Sequence, residues 1–187
     1  MSFIFTRHPE IDGLHAFLSP SKYHWINYDP PKLIDTYAKY QAAQRGTELH
    51  KLAADCIRLG QRLPKSKKTM SAYVNDAISF RMSTEQPLKY SNNCFGTTDA
   101  ICFDNNFLRI HDLKTGATPA HMEQLLIYAA LFCLEYRRNP IDIQTELRIY
   151  QNDEITYYRP SSDELSAIMN TAIESDKIVE QLRSGVY

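Results

Sequence analysis

Residues 94–116 read CFGTTDAICFDNNFLRIHDLKTG, two β-rich runs on either side of Asp104-Asn105-Asn106. Asn tolerates positive φ, so Asn105-Asn106 is predicted to form a two-residue hairpin turn. The turn sets the pairing outward: Asp104 with Phe107, Phe103 with Leu108, Ile101 with Ile110 and, by continuation, Asp99 with Asp112. Alternation then sorts the faces. Phe103, Ile101, Leu108 and Ile110 share one face with Asp99 and Asp112, while Cys102, Arg109, Ala100 and His111 take the other. A slip of one residue would break this pairing.

Two carboxylates are thereby placed opposite each other at the end of an apolar face. Like charges so placed are destabilising, and burial adds to the cost. A bound cation relieves both, and Mg²⁺ and Mn²⁺ prefer oxygen ligands of this kind. Lys114 lies two residues beyond Asp112 and shares its face. Alone, Asp112 and Lys114 would read as a surface ion pair of little worth. With Asp99 opposite they read as a site, where a lysine beside a phosphate orients a water or steadies developing charge.

The 187 residues suggest one domain. The first 30 are irregular and aromatic, with Ser19 or Ser21 placed to cap a short helix. Residues 31–60 are predicted helical, with Leu49, Leu52, Ala53, Cys56 and Ile57 at helical spacing and Gly60 at the C-terminus. Gly46, His50 and Ala53 share one side of that helix, which aims His50 towards the sheet, although a lone histidine there is ordinarily unremarkable. A second helix is expected over 69–82. AHMEQLLIYAALFCLEY forms a third, apolar helix, on which Gln124 and Tyr128 share a face. IDIQTELRIY and EITYYRP are expected to be strands around Asn152-Asp153, followed by an amphipathic helix capped by Ser161 or Ser162.

Net charge is −1, so any nucleic-acid contact must come from a local patch. Arg58, Arg62, Lys65, Lys67 and Lys68 lie in one stretch without an acid, which reads equally as a solvated loop or a phosphate track. Cys56, Cys94, Cys102 and Cys133 are scattered without a C-x-x-C pair, which points to buried reduced thiols and not a zinc knuckle. No stretch approaches the roughly 18 apolar residues of a membrane span. MSFIFTRHPE lacks a signal-peptide core, so a cytoplasmic location is the default expectation.

Four segments in order, GTELH, GTTD, DLKTG and QLLIY, resemble the motifs of the RecB-like branch of the PD-(D/E)XK nuclease superfamily: G-x-x-x-H, G-x-x-D, D-x-K-T-G and Q-x-x-x-Y. The match covers residues 46–128. The resemblance implies an α/β fold, a central mixed sheet flanked by helices with a restriction-endonuclease-like core. It implies that His50, Asp99, Asp112 and the Leu113 backbone carbonyl hold Mg²⁺ or Mn²⁺. Lys114 would be the catalytic lysine, acting with Asp112 and Asp99, and Gln124 and Tyr128 would position DNA. The implied activity is that of a phage or prophage-type recombination exonuclease, leaving 5′-phosphates, in a bacterial or phage-infected cell. Relatives with an iron–sulfur cluster use a C-terminal cysteine trio. This chain has no Cys after Cys133, so no cluster is expected. No helicase motif is present, so unwinding would need a partner, such as a recombination or single-strand-binding protein. The alternatives are a nuclease fold that grips DNA or protein without cutting, a structure-specific endonuclease, and a hydrolase for another phosphodiester. Polarity, strand preference and oligomeric state are left open.

Overall fold

A computed structural model of the chain describes residues 4–116 and 118–185. The chain divides into two compact units, Met1–Arg45 and Gly46–Tyr187.

The first unit holds two short 3-10 helices, Pro9–Ile11 and Pro20–Asn27, and helix α1 (Pro30–Arg58) as far as Arg45. Asp29 starts α1 by accepting a hydrogen bond from the Lys32 N–H at 2.9 Å. Pro30 and Pro31 fill the first positions, where a missing N–H costs nothing. Ser19 stands at the N-cap of the second 3-10 helix but caps nothing with its side chain. Its hydroxyl instead lies 2.8 Å from that of Ser21, which removes the expected cap.

In the second unit α1 runs on to Arg58 and closes at Gly60 (φ +65°), where the Gln61 N–H bonds the Cys56 carbonyl at 2.8 Å. The expected apolar stripe is corrected at one position. Leu52 is 51% exposed, and Ala54 is buried beside Ala53, Cys56 and Ile57 instead. Helix α2 (Thr69–Ser79) stops short of residue 82, because Arg81 turns to φ +54° and Met82 bonds back to Ala77.

Five strands follow: β1 (Ser83–Lys89), β2 (Phe95–Asp104), β3 (Phe107–Leu113), β4 (Gln144–Gln151) and β5 (Glu154–Tyr158), hydrogen-bonded in that order. Asn105 and Asn106 have φ of +49° and +57°, as a two-residue hairpin turn demands. The β2–β3 register is the expected one, from Asp104 opposite Phe107 to Ala100 opposite His111. Asn152 and Asp153 make the second such turn, between β4 and β5. The segment from Ile141 is not strand at its start: Pro140–Asp142 is a 3-10 turn and β4 begins at Gln144. Only β3 and β4 are parallel, and helix α3 (Glu123–Glu135) lies in the crossover between them. Helix α4 (Ser162–Arg183) is capped by Ser161, whose hydroxyl accepts from the Glu164 N–H at 3.1 Å.

The sheet separates two cores. On one face Ile101, Leu108 and Ile110 pack with Leu125, Ala129 and Phe132 of α3 and Leu165 of α4. On the other, Ala100, Leu113 and Tyr150 pack with Ala53 and Cys56 of α1 and Val74 of α2. The second unit is therefore α/β, a mixed five-stranded sheet flanked by helices. Cys56 and Cys133 are buried, and burial pushes the Cys133 thiol up to about 11. Cys94 and Cys102 are only half-buried, less than expected, and all four are free thiols. Among the described residues no helix is long and apolar enough to cross a membrane.

Candidate active site

The end of β3 gathers the charged residues. The β2–β3 pairing ends at Ala100 and His111, one residue before Asp99 and Asp112. The Asp99 side chain borders His50, Ala54 and Tyr73 on the α1–α2 side, not the face it was expected to share with Asp112. Asp112 lies on the α3 side with Ile110 and is 4% exposed, since strands flank it on both edges. Lys114 stays in line with β4 through its N–H, which bonds the Tyr150 carbonyl at 2.9 Å. Its ammonium then lies 3.0 Å from Asp112 Oδ1 and 2.9 Å from Oδ2, and donates to Gln124 Oε1 at 2.9 Å. Gln124 comes from the first turn of α3. On the β2 side, Asp99 Oδ2 accepts the Leu113 N–H at 2.9 Å, and His50 Nδ1 of α1 stands 3.3 Å from the same oxygen. Within a strand a residue's N–H and C=O leave on the same side, so the Leu113 carbonyl faces the Asp99 edge.

The charges are coupled. The hydrogen bond to Asp99 holds the His50 imidazole above its ordinary range, against the opposing effect of burial. Burial, and then the charge of Asp99, push the Asp112 carboxyl up, with Lys114 pulling the other way. Lys114 hydrogen-bonds Oδ1 but does not align with Oδ2, which is buried without a hydrogen bond. The Lys114 ammonium spends two donors on Asp112 Oδ1 and Gln124 and leaves Asp112 Oδ2 without a hydrogen bond.

The two motif glycines that open GTELH and GTTD make room for residues of the other two motifs. A Cβ on Gly46 would lie 2.8 Å from Thr115 Oγ1 of DLKTG. A Cβ on Gly96 would lie 2.8 Å from Cε1 of Tyr128 in QLLIY, so the tyrosine ring rests on bare strand. Gly96→Ala is expected to push Tyr128 off β2 and lower stability by about 1–3 kcal/mol, the usual cost of overpacking. Thermal melts of this variant beside Tyr128→Leu, alone and combined, will check it. Fully additive losses would mean that the two positions are not in contact.

Glu85 is a site residue that the sequence did not disclose. The β1–β2 register sets it opposite Asp99, where it breaks the pairing with a φ of +51°. The cause of the omission is β1 itself: STEQPLK has no β-rich alternation and contains Pro87, which suits only an edge strand. His50, Ala54, Tyr73, Glu85 and Asp99 enclose a cavity of about 20 Å³, the size of one water or ion. Burial, then the charges of Asp99 and Asp112, push the Tyr73 hydroxyl up. Among the described residues no three His, Cys, Asp or Glu side chains converge at coordinating geometry. The donor set nonetheless fits a hard divalent cation: carboxylates with an imidazole at a cavity of ionic size, and an orphaned carboxylate oxygen on Asp112. A larger cavity, about 420 Å³, lies by Phe107, Pro140 and Arg159 and includes none of these residues.

A scan of protein-family models, a search of curated proteins and a search of solved structures each return no match to this chain.

The basic stretch does not form one row of free cations. Arg58 pairs with Asp55 and Glu85, Arg62 donates to the Asn75 carbonyl and Ser79, and Lys68 pairs with Asp153. Lys65 and Lys67 are exposed. Spacing along the chain could not reveal this, because the partners come from α2, β1 and the β4–β5 turn.

Proposed function

We propose that the chain is a divalent-metal-dependent DNA nuclease with the restriction-endonuclease-like core of the RecB-like PD-(D/E)XK branch, of the phage recombination type. What supports the reading most is one observation. His50, Asp99, Asp112, Lys114 and Gln124, contributed by four separate sequence motifs, meet in a single cluster where the β2–β3 pairing ends. His50, Asp99, Asp112 and the Leu113 carbonyl would hold Mg²⁺ or Mn²⁺, the imidazole favouring Mn²⁺. When bound, the cation supplies Lewis acidity and charge neutralisation at the scissile phosphate. Lys114, held by Asp112 and Gln124, offers a third N–H to the attacking water or to the charge growing on phosphorus. His50 and Leu113 orient the Asp99 carboxylate. Tyr128, seated on Gly96, provides a ring beside the strand path. The products carry 5′-phosphates.

Calorimetry is expected to show Mn²⁺ binding that is sharply weaker in Asp99→Ala and Asp112→Ala. Because the cation relieves the repulsion between the Asp99 and Asp112 carboxylates, Mn²⁺ should also raise the melting temperature of the wild type. Equal binding in wild type and Asp112→Ala would sink the ligand assignment. End-labelled linear DNA incubated beside a closed circle with Mn²⁺ tests the activity: an exonuclease spares the circle. The clamp of Lys114 on Asp112, which already neutralises one carboxylate, favours a second reading. In it the chain binds DNA or a protein without cutting, and neither substrate would be cleaved.

A further inference from the structure

The first unit carries six large aromatic residues between Phe17 and Tyr40: Phe17, Tyr23, Trp25, Tyr28, Tyr37 and Tyr40. No side chain described in residues 4–45 is buried. The rings are therefore not the core of that unit. Four of them instead wall a cavity of about 190 Å³, lined by Phe17, Lys22, Trp25, Tyr28, Thr36 and Tyr40. Several walls are fixed in place. Trp25 Nε1 donates to the Ser19 carbonyl at 3.0 Å, Tyr40 accepts from Gln44 at 2.9 Å, and Phe17 lies 5.3 Å from the Tyr40 ring.

The chemistry of the walls selects the occupant. Aromatic cages commonly hold cations. Here Lys32 already covers the Tyr28 ring at 4.8 Å and Lys22 stands in the wall, so a cationic guest is repelled. An apolar segment would bury Lys22 against nothing. Lys39 is neutralised by Asp35 at 2.7 Å, whereas Lys22 has no ion pair among the described residues. The guest that satisfies both features is flat and anionic. The volume is below the roughly 300–1,000 Å³ of drug-sized sites, which suits one heterocycle. Base–aromatic stacking next to a lysine on phosphate is how single strands are held without sequence preference.

We propose that this cavity takes one unpaired nucleotide of a single-stranded segment of DNA, its base stacked among Trp25, Tyr28 and Tyr40 and its phosphate on Lys22. The inference rests on the reading that DNA is the substrate, and it adds that an unpaired strand is engaged by the first unit.

Trp25 is the only tryptophan of the chain, so its emission reports on this cavity alone. The full chain is titrated in EDTA, where no metal-dependent cleavage occurs, with an oligothymidylate, a duplex of equal length and thymidine monophosphate. Binding is followed in parallel by anisotropy of a labelled oligomer. The oligothymidylate should quench Trp25 saturably, the duplex should not, and the mononucleotide should do so only at much higher concentration. Lys22→Ala and Tyr28→Ala should each weaken the quenching about tenfold or more, and Lys22→Ala should lower the salt slope by about one phosphate contact. Both variants must keep the wild-type melting temperature, and the exposed Lys22→Glu serves if Tyr28→Ala does not fold. Oligomer binding by anisotropy with unchanged Trp25 emission would overturn the proposal. Quenching by the mononucleotide as strong as by the oligomer would also overturn it, leaving a free-nucleotide site. Quenching as described without cleavage in Mn²⁺ would leave this proposal standing and overturn the nuclease reading.

Discussion

Lys114→Ala is expected to fold, bind Mn²⁺ and bind DNA, yet cleave it roughly 10²–10³-fold more slowly, the scale for losing one preorganised electrostatic group. The geometry makes the separation possible. Lys114 is a cation and contributes no ligand, so its removal leaves His50, Asp99 and Asp112 where their own elements hold them. Two of its three N–H donors are spent on Asp112 and Gln124, which aims the third. Lys114→Arg should rescue poorly, since a planar fork cannot replace a compact ammonium between two fixed oxygens. Gln124→Leu removes one of the two anchors without the charge and should cost less than Lys114→Ala. The variant also has a signature without activity. Asp112 then lacks its cation, so the melting temperature should fall in EDTA and be largely restored by Mn²⁺. A folded Lys114→Ala protein that cuts at the wild-type rate would show that this lysine is not catalytic.

His111→Leu is expected to be markedly less sensitive to acid than the wild type. His111 is fully buried on the α2 side of the sheet, edge-on to Phe80 and 3.3 Å from the Tyr150 hydroxyl, with its Nε2 unpartnered. Burial, and then the charge of Arg148, lower its pKa from 6.5 to about 3. The folded state thus binds fewer protons than the unfolded state between those values. The stability linked to neutral His111 is complete above about pH 6.5 and is lost as pH falls towards about 3. The slope approaches about 1.4 kcal/mol per pH unit and amounts to about 5 kcal/mol in all.

Glu146 acts in the same direction lower down. Burial pushes its carboxyl up, but hydrogen bonds from Arg159 and Arg148 and the charges of Arg148 and Arg109 outweigh that and hold it below the usual range. Its stabilising contribution is present above the ordinary glutamate pKa and is lost as pH falls through the lowered value. Asp112 and His50, both raised, contribute with the opposite sign. The difference between variant and wild type isolates His111. Urea midpoints from pH 4.5 to 7.5 should show the variant's profile flatter, by most of that slope. Parallel profiles would mean that folding leaves the His111 pKa unchanged.

Local chemistry made much of the second unit legible from the chain alone. Two adjacent asparagines at positive φ determine a hairpin, and the register it sets holds from Asp104 opposite Phe107 to Ala100 opposite His111, with Asp112 on the side of Ile110; Asp99 turns instead towards His50 and Tyr73. The helix of His50 and the helix of Gln124 and Tyr128 follow from 3.6-residue spacing and carry these residues as expected. Those inferences need no partner further away than a neighbouring strand.

Tertiary structure decided the rest. β1 is polar and contains Pro87, so it is a strand only because β2 offers it an edge, and Glu85 enters the site with it. Leu52 has the spacing of a core residue but no wall to pack on. Arg58, Arg62 and Lys68 look like free cations until β1, α2 and the β4–β5 turn supply their partners. His111, Arg148 and Glu146 alternate like an exposed strand face, and the packing of α2 and Phe80 over them makes them a largely covered polar layer. Gly46 and Gly96 are motif letters in the sequence, and the approach of Thr115 and Tyr128 supplies their physical reason. Backbone preference acts over a few residues, whereas burial and charge pairing depend on what arrives from elsewhere in the chain.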